Sequence, residues 1–94
     1  MNSVPEPRKV TTPADFWGIV SDVQDAIARG LLAQIYNFTS SSEPYLRVQD
    51  LQEGGVVPDL VDMTFKAVQS SDVYNLQVET FHGAGGSWKR IGKE

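Results

Sequence analysis

The single histidine of this 94-residue chain lies beside a glycine-rich stretch that could do chemistry in an enzyme. His82 is followed by Gly83, Gly85 and Gly86. A histidine can act as a general base, and glycine-rich backbone can present N–H groups to an oxyanion. Esterases with such a loop also need a nucleophile elbow, G-x-S-x-G, which this sequence lacks. The stretch is therefore predicted to be a hairpin loop with an exposed histidine.

Carboxylates are the other residues that could do acid–base chemistry, because burial can separate the pKa values of a pair. Asp22 and Asp25 stand three residues apart on the polar side of a predicted helix, where solvation is their expected role. Asp62 and Glu79 are expected on neighbouring strands, with Glu79 pointing to solvent. With one histidine, no cysteine and scattered acids, a metal centre is not expected. The sequence therefore predicts no catalytic residue, no cofactor and no metal site.

The elements that would position these residues begin with a helix. Thr12 is a good N-cap and Pro13 suits the first helical position. The apolar residues that follow in steps of three and four are Phe16, Ile19, Val20, Val23, Ile27, Leu31 and Ile35. This stripe passes Gly30 without a change of phase. It predicts either one long helix over residues 13–36 or two helices bent at Gly30.

The second half of the chain alternates apolar and polar residues, as antiparallel strands with one covered face do. The alternating apolar residues are Met63, Phe65, Ala67, Tyr74, Leu76 and Val78. Residues 87–91 are predicted as a short final strand, and residues 45–51 as a strand rather than a helical turn. The predicted fold class is α+β: one long N-terminal helix packed on a three- to four-stranded antiparallel β-meander. Residues 13–94 form one domain after a flexible tail, residues 1–12, with a short edge strand near Val10.

Two short segments resemble the NTF2-like proteins of the cystatin-like fold group. They are AIARGLLAQIY, residues 26–36, and the closing strand GSWKRIG, residues 86–92, within a resemblance that covers about a third of the chain. The pattern differs at Leu31, where a polar residue is usual, and at Arg90, which is an extra residue. The resemblance implies a small-ligand binder or enzyme with a pocket between helix and sheet. It transfers no catalytic residue to this chain.

The charge of the chain restricts its partners. The formal net charge is −4, and the basic residues are scattered, so neither nucleic acid nor a membrane is an expected partner. An acidic domain is steered instead toward a basic protein. The chain has no cysteine, and its N-terminus has no apolar signal segment, so we expect a cytoplasmic location.

One face of the predicted meander is the expected protein-binding surface. Phe81 falls on the polar face together with Gln77 and Glu79, where an apolar side chain is a candidate interface anchor. The basic residues of the last strand are Lys89, Arg90 and Lys93. These charges oppose pairing of strand edges between copies, so a monomer or weak homodimer is expected.

Two functions follow from these patterns. The first is a small acidic non-enzymatic domain that binds a protein partner, such as an immunity or antitoxin-like protein or an accessory module. The alternative is the NTF2-like ligand binder or enzyme. An enclosed cavity with an ionisable group inside it would distinguish the second from the first.

Overall fold

The structure, a computed structural model, describes residues 4–35, 47–80 and 85–93. Within them, one α-helix packs on a five-stranded antiparallel sheet. The elements are β1 (Arg8–Val10), α1 (Pro13–Ala28), β2 (Leu32–Ile35), β3 (Leu60–Ala67), β4 (Asp72–Glu79) and β5 (Gly85–Lys93). The strand order is β1-β5-β4-β3-β2. The α+β class is confirmed, with five strands rather than three or four. The edge strand expected near Val10 is β1.

The start of α1 follows the predicted capping chemistry. The Thr12 hydroxyl accepts a hydrogen bond from the Asp15 N–H at 3.1 Å. Asp15 in turn accepts from the Thr11 N–H at 3.1 Å and from the Thr11 hydroxyl at 2.9 Å. These bonds satisfy backbone donors that a helix start leaves without partners. The connection from β1 to α1 is thereby fixed.

The end of α1 corrects the prediction of a helix over residues 13–36. Gly30 has a φ of +78°, its N–H donates to the Ile27 carbonyl at 3.0 Å, and the Leu31 N–H donates to the Ala26 carbonyl at 2.9 Å. This is the Schellman arrangement, which stops a helix with a left-handed residue. The chain then reverses into β2, where backbone pairing with β3 replaces helical hydrogen bonds. Within the described residues, no helix is long and apolar enough to cross a membrane.

The core lies between α1 and the sheet. The buried residues of α1 are Phe16, Ile19, Val20, Val23 and Ala26. The buried apolar residues of the sheet are Val10, Leu32, Val61, Met63, Phe65, Ala67, Leu76, Val78 and Trp88. The alternation predicted for β3 and β4 is confirmed, since its apolar members form the covered face. Burying each large apolar side chain contributes about 1.5–3 kcal/mol before conformational entropy is counted.

The segment predicted as a strand over residues 45–51 contains a short 3₁₀ turn at Val48–Asp50. The Gln24 side chain in α1 donates to the Val48 carbonyl at 2.7 Å and to the Leu51 carbonyl at 2.8 Å. The Val48 N–H donates to the Gln34 side chain at 2.9 Å. Because side-chain amides take these backbone groups, the segment packs on the core without a strand partner there. Residues 45 and 46 lie outside the described part.

Candidate functional site

The sheet face away from α1 carries two of the three residues predicted to bind a protein. Gln77 and Glu79 alternate with buried residues along β4, which places their side chains on this outer face. Gln77 is exposed, and Glu79 is half-buried. Phe81, the third predicted residue, and His82 both lie outside the described residues. The structure therefore places Gln77 and Glu79 on one face and leaves the predicted roles of the other two untested.

A row of polar residues crosses the outer face at Gln77. Its cross-strand partners are Asp62 on β3 and Ser87 on β5. Ser87 is paired in turn with Lys9 on β1. Residues directly opposite on neighbouring strands have Cβ atoms about 4.5–5.5 Å apart, so these four side chains form one continuous strip. The strip offers both hydrogen-bond donors and acceptors to a partner.

The centre of the outer face is held by hydrogen bonds. The Asn75 amide donates to the Asp62 carboxylate at 2.9 Å and to the Met63 carbonyl at 3.1 Å. Asn75 is 9% exposed and its cross-strand neighbour Thr64 is 7% exposed, although both lie on the face opposite α1. Asn75 therefore fixes the position of Asp62 within the strip.

Charges of both signs share the outer face. Strand register places Lys9, Lys66 and Lys89 there, together with Asp62 and Glu79. The acidic surplus of the chain is concentrated elsewhere, on α1 and on residues 47–59. The exposed carboxylates of those two segments are Asp15, Asp22, Asp25, Asp50, Glu53 and Asp59. The molecule therefore has a mixed-charge face and an acidic side.

The two carboxylates singled out on the helix are exposed and form ion pairs. Asp22 lies 3.1 Å from the guanidinium of Arg8, and Asp25 lies 2.8 Å from that of Arg29. Exposed pairs of this kind contribute about 0–1 kcal/mol. Among the described residues, no group of three or more His, Cys, Asp or Glu could hold a metal ion.

A partly open cavity of about 140 Å³ lies beside the N-terminus of α1, and we name it the α1 cavity. It is bounded by Val10, Thr11, Thr12, Pro13, Phe16, Trp17, Val57, Val78, Glu79, Thr80 and Gly85. Its walls are mainly apolar. Among the described lining residues, Glu79 is the ionisable one, and strand alternation directs its side chain to the outer face. Within the part of the chain that the structure describes, no ionisable side chain is therefore directed into the cavity.

The three threonines of the α1 cavity are already hydrogen-bonded within the chain. The Thr11 hydroxyl donates to Asp15 at 2.9 Å, and the Thr12 hydroxyl accepts from the Asp15 N–H. The single hydroxyl hydrogen of Thr80 is shared between the Pro58 carbonyl at 2.6 Å and the Asp59 carbonyl at 3.1 Å. The backbone N–H of Thr11 is the largest cause that lowers the pKa of Asp15, followed by the Thr11 hydroxyl. The rim is thus rigid, with an ionised carboxylate beside it at neutral pH.

Sequence reasoning did not identify the residues that line the α1 cavity because its walls come from four separate segments. Residues 10–17, Val57, residues 78–80 and Gly85 meet only when the sheet forms. The local signal was the adjacent pair Phe16 and Trp17 directly after the helix cap. Helical spacing buries the first against the core and leaves the second half-buried.

No model of a protein family, no curated protein and no solved structure matches this chain. The resemblance to NTF2-like proteins stays a prediction.

Proposed function

We propose that this chain is a small acidic protein-binding domain without catalytic activity, of the immunity, antitoxin or accessory-module kind. It binds its partner through the outer face of the sheet, around Gln77, Glu79 and Phe81. The observation that supports this most is the polar strip Asp62–Gln77–Ser87–Lys9. The Asp62 carboxylate of the strip is held by Asn75, so Asp62 loses little conformational freedom when a partner binds.

The charge distribution favours a basic protein as the partner. The net charge of −4 and the exposed acids of α1 and residues 47–59 attract a basic protein and raise its association rate. The mixed charges of the outer face then contribute specificity, because wrong partners place like charges opposite one another. The proposal excludes nucleic acid and a membrane as partners, and places the cysteine-free domain in the cytoplasm, where proteins rarely depend on disulfides.

A monomer or weak homodimer is part of the proposal. The short strand β1 pairs with β5 only at Gly86–Trp88. Beyond that point, the exposed residues of β5 include Lys89, Arg90 and Lys93. Positive charges along this edge oppose its pairing with the same edge of a second copy.

Site-specific photo-crosslinking in the native cells tests the proposal. A benzoylphenylalanine at position 77 should form an adduct with one protein, whereas the same group at the exposed α1 residue Ser21 should not. The captured protein is then purified and titrated by calorimetry against Gln77→Arg and the control Ser21→Arg. We expect Gln77→Arg to weaken binding at least about tenfold, equivalent to about 1.4 kcal/mol. Equal effects of the two variants would contradict the proposal.

The α1 cavity is the observation that favours the alternative, a small-ligand binder or enzyme with a pocket between helix and sheet. The cavity does lie between α1 and β4. A small molecule that occupies it should raise the Tm of the chain through binding to the folded state. A metabolite that copurifies with the chain, raises its Tm and is displaced by filling the cavity would favour this alternative over a protein partner.

A further inference from the structure

We infer that the α1 cavity receives one apolar side chain of the protein partner, Phe- or Leu-sized and flanked by basic residues. The inference rests on the proposed function and names the contact that anchors the partner. The cavity lies at the end of β4, where Glu79 and Thr80 border it, and Gln77 is two residues earlier on β4 with its side chain on the outer face. Two residues of strand span about 7 Å along the sheet, so a partner that passes round this end of β4 can contact both surfaces.

The volume of the cavity matches the size of a single side chain. It measures about 140 Å³, close to the roughly 150 Å³ of an engineered protein cavity that binds benzene. Sites for whole drug-sized or cofactor-sized molecules are larger, about 300–1,000 Å³. One aromatic ring or one branched aliphatic group therefore fills the space. Binding hot spots of protein interfaces have this form, a single large side chain in a well-packed pocket.

The walls suit an apolar group and offer an aromatic contact. Val10, Phe16 and Val78 are buried, while Val57 and Trp17 are half-buried. The rings of Phe16 and Trp17 meet edge to face, with centroids 4.9 Å apart and planes at 74°. This contact holds the indole in place, so its remaining exposed surface can pack against an incoming ring without reordering.

The rim disfavours a polar ligand and favours basic flanking residues. The hydroxyl hydrogens of Thr11 and Thr80 are donated in the hydrogen bonds described above, so these two groups donate to a ligand only if those bonds break. The carboxylate of Asp15 stands beside the rim, where it accepts from Thr11, and the backbone of Asp59 is joined to the rim because its carbonyl accepts from the Thr80 N–H at 2.7 Å. None of the described lining residues is Lys or Arg. A second copy of this acidic chain is therefore a poorer occupant than a basic segment.

Short peptides test the inference without the partner. The probe is the capped tripeptide Lys-Phe-Lys, titrated into the ¹⁵N-labelled chain and followed by NMR. Its controls are capped Lys-Ala-Lys, which lacks the anchor, and capped Glu-Phe-Glu, which reverses the flanking charge. We expect shifts at Val10, the Trp17 indole N–H and Thr80, residues that line the cavity. Both controls should bind at least tenfold more weakly.

Two neighbouring valines provide a test variant and its matched control in the protein. Val57 lines the cavity, whereas Val56 does not and is 97% exposed. Val57→Phe should fill the cavity and weaken Lys-Phe-Lys at least tenfold, while Val56→Phe should leave its affinity unchanged. Because both positions lie outside the strands, the two variants should keep the dispersed NMR spectrum of the parent.

Several results would overturn the inference. Equal affinity for Lys-Phe-Lys and Lys-Ala-Lys would show that charge alone binds the peptide. Full affinity in Val57→Phe would place the peptide elsewhere. Indole binding as tightly as Lys-Phe-Lys would assign the cavity to a small molecule.

If the adduct at position 77 forms and its protein binds Val57→Phe normally, this inference fails while the proposed function stands. If no protein is captured at position 77, the proposed function fails, regardless of whether the peptides bind.

Discussion

The indole ring of Trp88 stacks on the phenol ring of Tyr74, with planes 7° apart and centroids 5.2 Å apart. The two residues are diagonal neighbours on β5 and β4, since Trp88 is paired with Leu76 and Tyr74 with Arg90. Trp88 is completely buried, and its Nε1–H donates to the Pro5 carbonyl at 2.9 Å. The Trp88 side chain thus fixes Pro5, which precedes β1, against the sheet.

Replacing Trp88 tests how much this contact stabilises the fold. Trp88→Ala should lower the free energy of unfolding by about 3–5 kcal/mol, because it leaves a large cavity and removes the bond to the Pro5 carbonyl. Ile91→Ala on the same strand is the control, since Ile91 is 52% exposed and should cost well under 1 kcal/mol. Urea denaturation measures both. Similar values for the two variants would show that Trp88 is not part of the core.

Two glycines of β5 are expected to respond differently to the same change. A Cβ at Gly86 would overlap the carbonyl oxygen of Gln77 on β4, whereas a Cβ at Gly92 meets nothing within 4 Å. Gly86→Ala should therefore force the two strands apart and cost several kcal/mol. Gly92→Ala should change stability by less than about 1 kcal/mol. A Gly86→Ala protein that melts like Gly92→Ala would contradict the pairing of β4 with β5.

The strands of the second half were predictable because apolar side chains recur there with a period of two, although Thr64 and Asn75 on the outer face are buried as well. Phe65 and Leu76 are fully buried, and their chain neighbours turn to the outer face. Only one side of that sheet is covered by α1, which is the condition under which alternation is informative. The same reasoning placed Gln77 and Glu79 on the outer face correctly.

The end of the helix was not predictable from the same patterns. Leu31 and Ile35 keep the four-residue spacing of a helix, yet Leu32–Ile35 is a strand. The spacing is ambiguous in so short a segment, and pairing with β3 decides the conformation. The residues that line the α1 cavity were missed for a related reason, since Val57 and Thr80 contact it only through the tertiary fold.

The stability of the chain should decrease in acid partly through Asp72. The Arg90 guanidinium, which donates to the Asp72 carboxylate at 3.0 Å, is the main cause that lowers the pKa of this carboxyl, followed by the Ser70 hydroxyl. The pKa of Asp72 is lower in the folded state than in the unfolded state, so the ionised carboxylate stabilises the fold fully at pH values above the unfolded-state pKa. This contribution is lost as the pH falls through the folded-state pKa.

We therefore expect Asp72→Asn to reduce the loss of stability between about pH 5 and pH 2, which brackets carboxyl titration. Arg90→Gln should reduce it in the same direction, because it removes the main partner of the carboxylate. Urea midpoints measured across this range test both variants. If the stability of Asp72→Asn depends on pH as that of the parent does, other carboxylates cause the acid sensitivity. Asp15 is the next candidate, since its pKa is also lowered.

The final prediction concerns two glycines at which one substitution should act with opposite signs. Gly18 lies within α1 and Gly30 follows its end, and a Cβ at either position meets nothing within 4 Å. Alanine is favoured over glycine inside a helix by about 1 kcal/mol, so Gly18→Ala should stabilise the chain. Gly30 has a φ of +78°, which alanine adopts only at a cost of about 1–2 kcal/mol, so Gly30→Ala should destabilise it. Stabilisation by both changes in urea denaturation would mean that the helix continues through Gly30, as its apolar spacing suggested.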